Sequence, residues 1–289
     1  MTDSHQASQP PDLVAKVDLD HRSLFGEEGT GGTWPRAMLR TMTTRTAMPA
    51  GLATLVKEYE ADHQRDVQFR LPSWKKALAD VSSDPTALMT DRNYTRPAER
   101  STDRLIGRAG LLSACDAMDL ANESDVVRTF VLVMAWGSGL TGSRALRNTA
   151  RALGDGPSAH KMLAAAALRL RSAKSFTDGA LEEAHHGFSL PGVGQAFFTK
   201  WFTFAGHVPV RAWQPLILDS RVYATLKRTL GVDTTSMAGS RLRKARYRAY
   251  VETMHSWSED LSRSGLDATP ERLEWVLFEN NGKALQPGS

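Results

Sequence analysis

A glycine turn, a lone lysine and a lone aspartate follow one another in the stretch LPGVGQAFFTKWFTFAGHVPVRAWQPLILDSRV, Leu190 to Val222. Pro191 fixes one φ angle, and Gly192 and Gly194 open conformations closed to other residues. Backbone amides of such a turn, followed at once by a helix start, fit a phosphate without any side-chain charge. The same residues would also serve a plain helical corner. Lys200 is the one cation in an aromatic helix. It either snorkels to solvent or sits half-desolvated, where a lowered pKa makes it a candidate nucleophile. Asp219 closes an apolar segment and opens a helix, so it is a good N-cap. A carboxylate held there can also stabilise a developing sugar cation or activate a water, as in glycoside cleavage.

Elements that could position these groups are helical. Phe198, Trp201, Phe202 and Ala205 share one broad face of a helix over 194–206, which reads as core rather than as a stacking platform. A helix over 177–186 precedes the turn, which gives a helix, hairpin, helix unit. Elsewhere the periodicity predicts helices over 103–121, 142–153, 158–172, 219–230, 239–263 and 270–279. Another carries Val126 to Trp136, opened by Ser124 as N-cap and stopped at Gly137-Ser138-Gly139. Thr269-Pro270 is a start signal, with a capping threonine before proline at the first helical position. Upstream, Leu52, Leu55, Val56 and Tyr59 repeat at helical spacing, and Ser73 can cap a short helix carrying Trp74, Leu78 and Val81. Residues 84–102 read as a loop. Residues 1–47, rich in Gly, Thr, Ser, Asp and Pro, read as a flexible or irregular arm, and 48–289 as one mostly α domain.

Composition narrows the function classes. Apolar residues make 41% and charged residues 24% of the 289, which suits a globular domain with a real core. The net charge of +4 is modest, so placement matters. Arg144, Arg147 and Arg151 cluster, as do Arg241, Arg243, Lys244, Arg246 and Arg248; each set suits a polyanion or a solvated helix face. Cys115 is the only cysteine, which excludes an internal disulfide and cysteine-rich zinc or iron–sulfur sites. With no apolar signal core or membrane-length run, the expectation is a cytoplasmic protein in a reducing compartment.

Taken together, LPGVG, FFTKWFTFAG and PLILDSRV resemble the helix-hairpin-helix superfamily of DNA glycosylases. They are most similar to bacterial proteins with an 8-oxoguanine DNA glycosylase fold, some of them encoded in phage-defence loci. The resemblance is specific over about 45 residues, and helix count and order extend it over roughly 100–280. It implies that Gly192, Val193, Gly194 and Gln195 grip a DNA phosphate, that Arg221 touches another, and that Asp219 is the catalytic aspartate. It adds a monovalent cation at the hairpin carbonyls as an option, with no cofactor required. One departure stands out: lyase members carry their lysine where this chain has Ala196. Lys200 follows one turn later, about 6 Å along the axis and about 40° around it. Water is therefore the expected attacker, in a monofunctional enzyme.

The mechanism implied is extrusion of a base from duplex DNA into a pocket and cleavage of its glycosidic bond. Trp136, Trp257, Trp275 and Phe278 are the candidate pocket aromatics, each with the core as its other reading. Two substrates are open: 8-oxoguanine, or a bulky modified base of phage DNA such as glucosylated hydroxymethylcytosine, the second favoured by the long segment before Asp219. The expected partner is double-stranded DNA and the expected state a monomer. Two rivals need no catalysis: a helix-hairpin-helix module that only binds DNA, and a helical protein–protein adaptor.

Overall fold

The computed structural model describes residues 46–285 except Ser83, Ser101 and Asp267. The expected N-terminal arm lies outside them but for its last two residues. No helix among the described residues is long and apolar enough to cross a membrane.

The amino-terminal part is α1 (Ala50–Glu58), whose Leu52, Leu55 and Val56 are buried, then a small antiparallel sheet with α2 (Leu71–Ala77). Its strands are β1 (Val67–Arg70), β2 (Arg96–Pro97) and β3 (Asp103–Ile106), with β3 in the middle. Val67 faces Ile106 and Arg70 faces Asp103. This corrects two expectations. The helix over 103–121 is β3 followed by α3 (Arg108–Asp116), with Gly107 in extended conformation between them. The loop over 84–102 contains a helical turn at Ala87–Met89 and the strand β2. Four-residue strands are too short to register as periodicity, and the partner that makes β3 a strand lies over thirty residues upstream.

The helices that follow match the sequence pattern, with shifted ends. Asn122, not Ser124, caps α4 (Glu123–Ser138) by accepting the Asp125 amide. Ser73 lies inside α2, which starts at Leu71 with Pro72 in its first turn. Then come α5 (Ser143–Ala152), α6 (Gly156–Ser172), α7 (Ala180–Gly187) and α8 (Gln195–Ala205). The helix over 219–230 is a short α9 (Ser220–Ala224) passing into a π-helical turn at Thr225–Thr229. That over 239–263 is α11 (Arg243–Arg263), and the sequence reading missed the short α10 (Thr234–Ala238) before it, which ends at Gly239 with φ +57°. Thr269 caps α12 (Pro270–Asn280) as its start signal implies.

Helices α4 and α8 form the centre. Val126 to Trp136 of α4 are almost all buried, and α4 packs against α3, α5, α6 and α8. The aromatic stripe of α8 is core: Phe198 and Trp201 through Ala205 are buried, and the Trp201 indole donates to the Leu163 carbonyl at 3.1 Å.

Between α8 and α9 the chain runs through Gln214–Leu218, buried and in neither helix nor strand. Side chains satisfy its backbone instead. Tyr247 and Tyr250 of α11 donate to the carbonyls of Leu216 and Ile217 at 2.9 and 2.8 Å. The Ile217 amide donates to Glu274 Oε2 of α12, and the Leu218 amide to Thr199 Oγ1 of α8 at 3.1 Å. Buried backbone groups without partners would cost a few kcal/mol each. Tyr250→Phe removes one donor and leaves the Ile217 carbonyl unpaired, so it should lower stability by about 1–3 kcal/mol in urea unfolding. An unchanged midpoint would mean that the segment is not held this way.

Candidate active site

The aspartate at the end of this buried segment both caps a helix and lines a cavity. Asp219 Oδ1 accepts the amides of Arg221 and Val222 at 3.0 and 3.1 Å, which caps α9. Its other oxygen, Oδ2, lies 3.5 Å from Lys200 Nζ. The residue is 7% exposed and lines a cavity of about 680 Å³. The cap thus fixes the carboxylate in one orientation while one oxygen stays turned to the lysine.

Lys200 does not snorkel. It is 6% exposed, and burial pushes its pKa down, opposed by the negative charges of Asp219 and then Glu274. Long helical side chains lean toward the amino terminus, and Nζ reaches back one turn to the Ala196 carbonyl at 2.9 Å. The four-residue offset from the lyase position therefore puts the amine beside that same position. Gly137 makes room for it. A Cβ there would stand 2.7 Å from Lys200 Cδ and 3.1 Å from Cε, so the lysine stem lies across the end of α4 where only glycine leaves space.

Sequence reasoning missed a second carboxylate. Glu274, 3% exposed, lines the same cavity and pairs with Arg108 of α3 at 3.1 Å. Burial pushes its pKa up and Arg108 pulls it back. One oxygen meets Arg108 and the other holds the Ile217 amide, so Glu274 also anchors the segment that ends in Asp219. The signal was present: a lone acid inside Leu273–Leu277, the counterpart of the lone lysine in α8.

Three of the four candidate aromatics are in the wall: Trp136, Trp275 and Phe278. The buried Trp136 indole N–H has no hydrogen-bond partner. Trp257 is not in the wall. It is fully buried and its indole donates to the Thr46 carbonyl, so its core reading is the correct one. Another part of the wall was also unforeseen: Tyr59 and the polar run Asp62-His63-Gln64-Arg65-Asp66 between α1 and β1. Arg272 of α12 ties this run down by donating to the Tyr59 and Asp62 carbonyls.

The hairpin joins α7 to α8. Val193 donates to the Leu190 carbonyl at 3.1 Å, and Gly192 takes φ +79°. An added Cβ at Gly192 would meet the Asn148 side chain of α5 at 3.0 Å. Gly194 differs from the expectation. Its φ is −80°, open to any residue, and a Cβ there would meet nothing within 4 Å. Gln195 donates to the Tyr223 hydroxyl at 3.2 Å. Arg221 is exposed, its guanidinium 4.6 Å from the Phe278 ring centre, which places it at the rim. Arg144, Arg147 and Arg151 are exposed on α5, next to the hairpin through Asn148, whereas Arg246 and Arg248 are engaged with Thr234 and with Glu182 and Glu252. Among the described residues no group of three or more His, Cys, Asp or Glu side chains could hold a metal ion. The carbonyls of Leu190 and Gly194 already accept amides of the turn and of α8, so a monovalent cation there would share them.

No curated protein and no solved structure matches the chain. A family model does, over residues 60–278, and its description is "Putative 8-oxoguanine DNA glycosylase OGG-like protein". The match takes in all of the cavity lining except Tyr59 and Glu279, with the hairpin, Lys200, Asp219 and Glu274, over well more than half of the chain. The chain therefore belongs to the OGG-like family of the helix-hairpin-helix glycosylase superfamily, with a DNA glycosylase type of function and DNA as substrate.

Proposed function

We propose that this protein extrudes a modified base from duplex DNA into the 680 Å³ cavity and cleaves its glycosidic bond, leaving an abasic site. The observation that carries the proposal is the pairing of Asp219 Oδ2 with Lys200 Nζ at 3.5 Å on the wall of that cavity. The bond between the sugar C1′ and the base nitrogen breaks with its electron pair leaving on the base. The Asp219 carboxylate stabilises the cationic sugar. Water then adds to C1′ and gives up a proton to Asp219. Lys200, as an ammonium held by Asp219 and the Ala196 carbonyl, has no lone pair to attack with and acts as a fixed charge. The hairpin amides, Arg221 and the α5 arginines hold phosphates.

The substrate we favour is a base larger than guanine, such as glucosylated hydroxymethylcytosine of phage DNA, in antiviral defence. Support comes from a cavity larger than one planar base needs. It comes also from its polar wall at Asp62–Asp66 and from the unpartnered Trp136 N–H, which an acceptor on the base would satisfy. A second substrate, 8-oxoguanine, is favoured by the description of the family. Incubating T-even phage, oxidised and plasmid DNA with the protein and weighing the released bases by mass spectrometry separates the two. A second attacker is also specific: burial that lowers the Lys200 pKa favours its neutral, nucleophilic form.

Asp219→Asn should keep DNA binding and lose base release by at least about 10²-fold, a loss of the size seen when one charge-stabilising group is removed. Asparagine still caps α9, but the buried Lys200 loses its counter-charge, so some stability should go with it. Release at the wild-type rate would overturn the assignment.

Lys200 is tested by the direction of its pH dependence. An ammonium that acts as charge loses activity as pH rises through its depressed pKa, below the ordinary 10.5. An amine that attacks the sugar gains activity over the same window. With water as attacker, borohydride traps no protein–DNA adduct, and Lys200→Arg recovers part of what Lys200→Ala loses. An abundant adduct absent from Lys200→Ala would make the enzyme a lyase.

The two hairpin glycines should separate. Gly192→Ala strains a positive φ and meets Asn148, so it should cost stability as well as binding. Gly194→Ala has room in the free protein and should leave thermal stability unchanged. It should still weaken binding to every duplex alike, because on this reading the hairpin backbone holds a phosphate and an added Cβ would crowd it. Unchanged duplex binding in Gly194→Ala would remove the hairpin from the interface.

A further inference from the structure

Glu274 stands in the cavity wall with no step in the chemistry above. It is almost wholly buried and anchors the Ile217 amide. An amide side chain would anchor that backbone without burying a charge, so the charge needs another reason.

Helices α8 and α12 grip neighbouring amides of one segment: Thr199 Oγ1 takes that of Leu218, and Glu274 Oε2 takes that of Ile217. Lys200 follows Thr199 in the chain, and Asp219 follows Leu218. The segment thus brings Lys200, Asp219 and Glu274 to one cavity. Arg108, the partner of Glu274, is not part of the lining. The buried part of the wall therefore carries one ammonium and two carboxylates. The other charged or titratable side chains of the lining are screened by water: Asp62, His63, Arg65, Asp66 and Glu279 are all exposed. Arg221 at the rim, which opposes the ammonium, is exposed as well. Burial pushes the phenols of Tyr59, Tyr247 and Tyr250 up, which keeps them neutral.

The second carboxylate has a task because Asp219 has two. In the resting site Asp219 Oδ2, 3.5 Å from Lys200 Nζ, balances the ammonium. When the glycosidic bond breaks, the sugar becomes a second cation that the same carboxylate must stabilise. Asp219 then accepts the proton of the attacking water and ends the step neutral. With Asp219 alone, the buried lysine would lose its counter-charge while the sugar is electrophilic. Shedding its own proton would then make it a nucleophile. Glu274 takes part in neither event, and its field strengthens once a bound base displaces water from the cavity.

We propose that Glu274 is a positioning residue that keeps Lys200 an ammonium while the sugar is electrophilic, so that water attacks in place of the lysine. The proposal rests on the glycosylase reading of the site. Burial pushes the lysine toward the neutral amine, and the negative charges of Asp219 and Glu274 push back. Part of the choice of attacker thus lies on α12, outside the helix that carries the lysine.

The test uses a duplex with an aldehydic abasic site, left by enzymatic removal of uracil, so the natural base need not be known. A neutral lysine adds to the C1′ aldehyde, and the carbinolamine loses water to form an imine. Borohydride reduces the imine to a stable protein–DNA adduct. Wild type should give no adduct above background at neutral pH. Glu274→Gln combined with Arg108→Gln removes both charges of the pair and leaves an oxygen for the Ile217 amide. This charge-free variant should trap at least about tenfold above that background, since loss of one nearby charge moves a pKa by about one unit or more. Adding Lys200→Ala should return it to background. Tyr250→Phe loosens the same segment with every charge in place, so it should stay at background too. Each protein is read below its own unfolding temperature. Glu274→Gln alone takes the place of the pair if the pair does not fold, because Arg108 is partly exposed and can turn to water. A folded variant without the Glu274 charge that traps no more than wild type would overturn the proposal. So would an abundant wild-type adduct, or equal trapping by Tyr250→Phe and the charge-free variant. The glycosylase reading fails by different results, the absence of any released base from wild type or undiminished release by Asp219→Asn.

Discussion

The site depends on a stretch of backbone, Gln214 to Leu218, that is buried without belonging to a helix or a sheet. Its amides and carbonyls must find partners inside the protein, and they find them on side chains from three helices: Thr199 of α8, Tyr247 and Tyr250 of α11, and Glu274 of α12. Each of those bonds fixes the distance between its helix and the segment. At the far end of the segment Asp219 has little freedom left, and the cap it gives α9 removes the rest. Orientation of the carboxylate follows from satisfied backbone, and no binding partner is required to create it.

The same bonds couple structure to charge. Glu274 holds the segment with one oxygen and Arg108 with the other, and its negative charge is felt at Lys200. Arg108, Glu274, Lys200 and Asp219 thus bring two positive and two negative groups into one largely buried region. Such groups are expensive to bury singly and tolerable when every one has a partner. On the function proposed above, a carboxylate already desolvated and aimed would stabilise positive charge developing on a sugar.

Around this core the protein divides its labour by exposure. The residues that would meet phosphates are backbone amides at a turn and arginines at the surface, where strong solvation keeps their attraction general and salt-sensitive. Those that would meet the base and sugar are buried, where a hydrogen bond or a charge discriminates. At Gly194 nothing within the protein demands a glycine, since φ is −80° and a Cβ would meet nothing within 4 Å.

Much of this is legible in the sequence, and the rest for physical reasons is not. The helices from α4 onward except the short α10, the aromatic core of α8, the Thr269 and Asp219 caps and the hairpin turn are local: they depend on residues within a turn or two, so spacing and residue type suffice. The three-stranded sheet is not local, since β3 becomes a strand only by pairing with residues 67–70. Trp136 and Trp257 look alike as sequence, yet one lines the cavity and the other donates to Thr46, because which face of a buried helix meets a cavity depends on what packs against it. Lys200 could snorkel or be desolvated. Burial decided for desolvation, and Gly137 on another helix leaves the space that lets it lie there. The sequence alone determined which residue types stand at the hairpin, at the lysine and at the aspartate. Tertiary structure decided that the lysine and aspartate form a pair with Glu274 beside them, because contact across a cavity is a property of packing between helices and has no signature in any one of them.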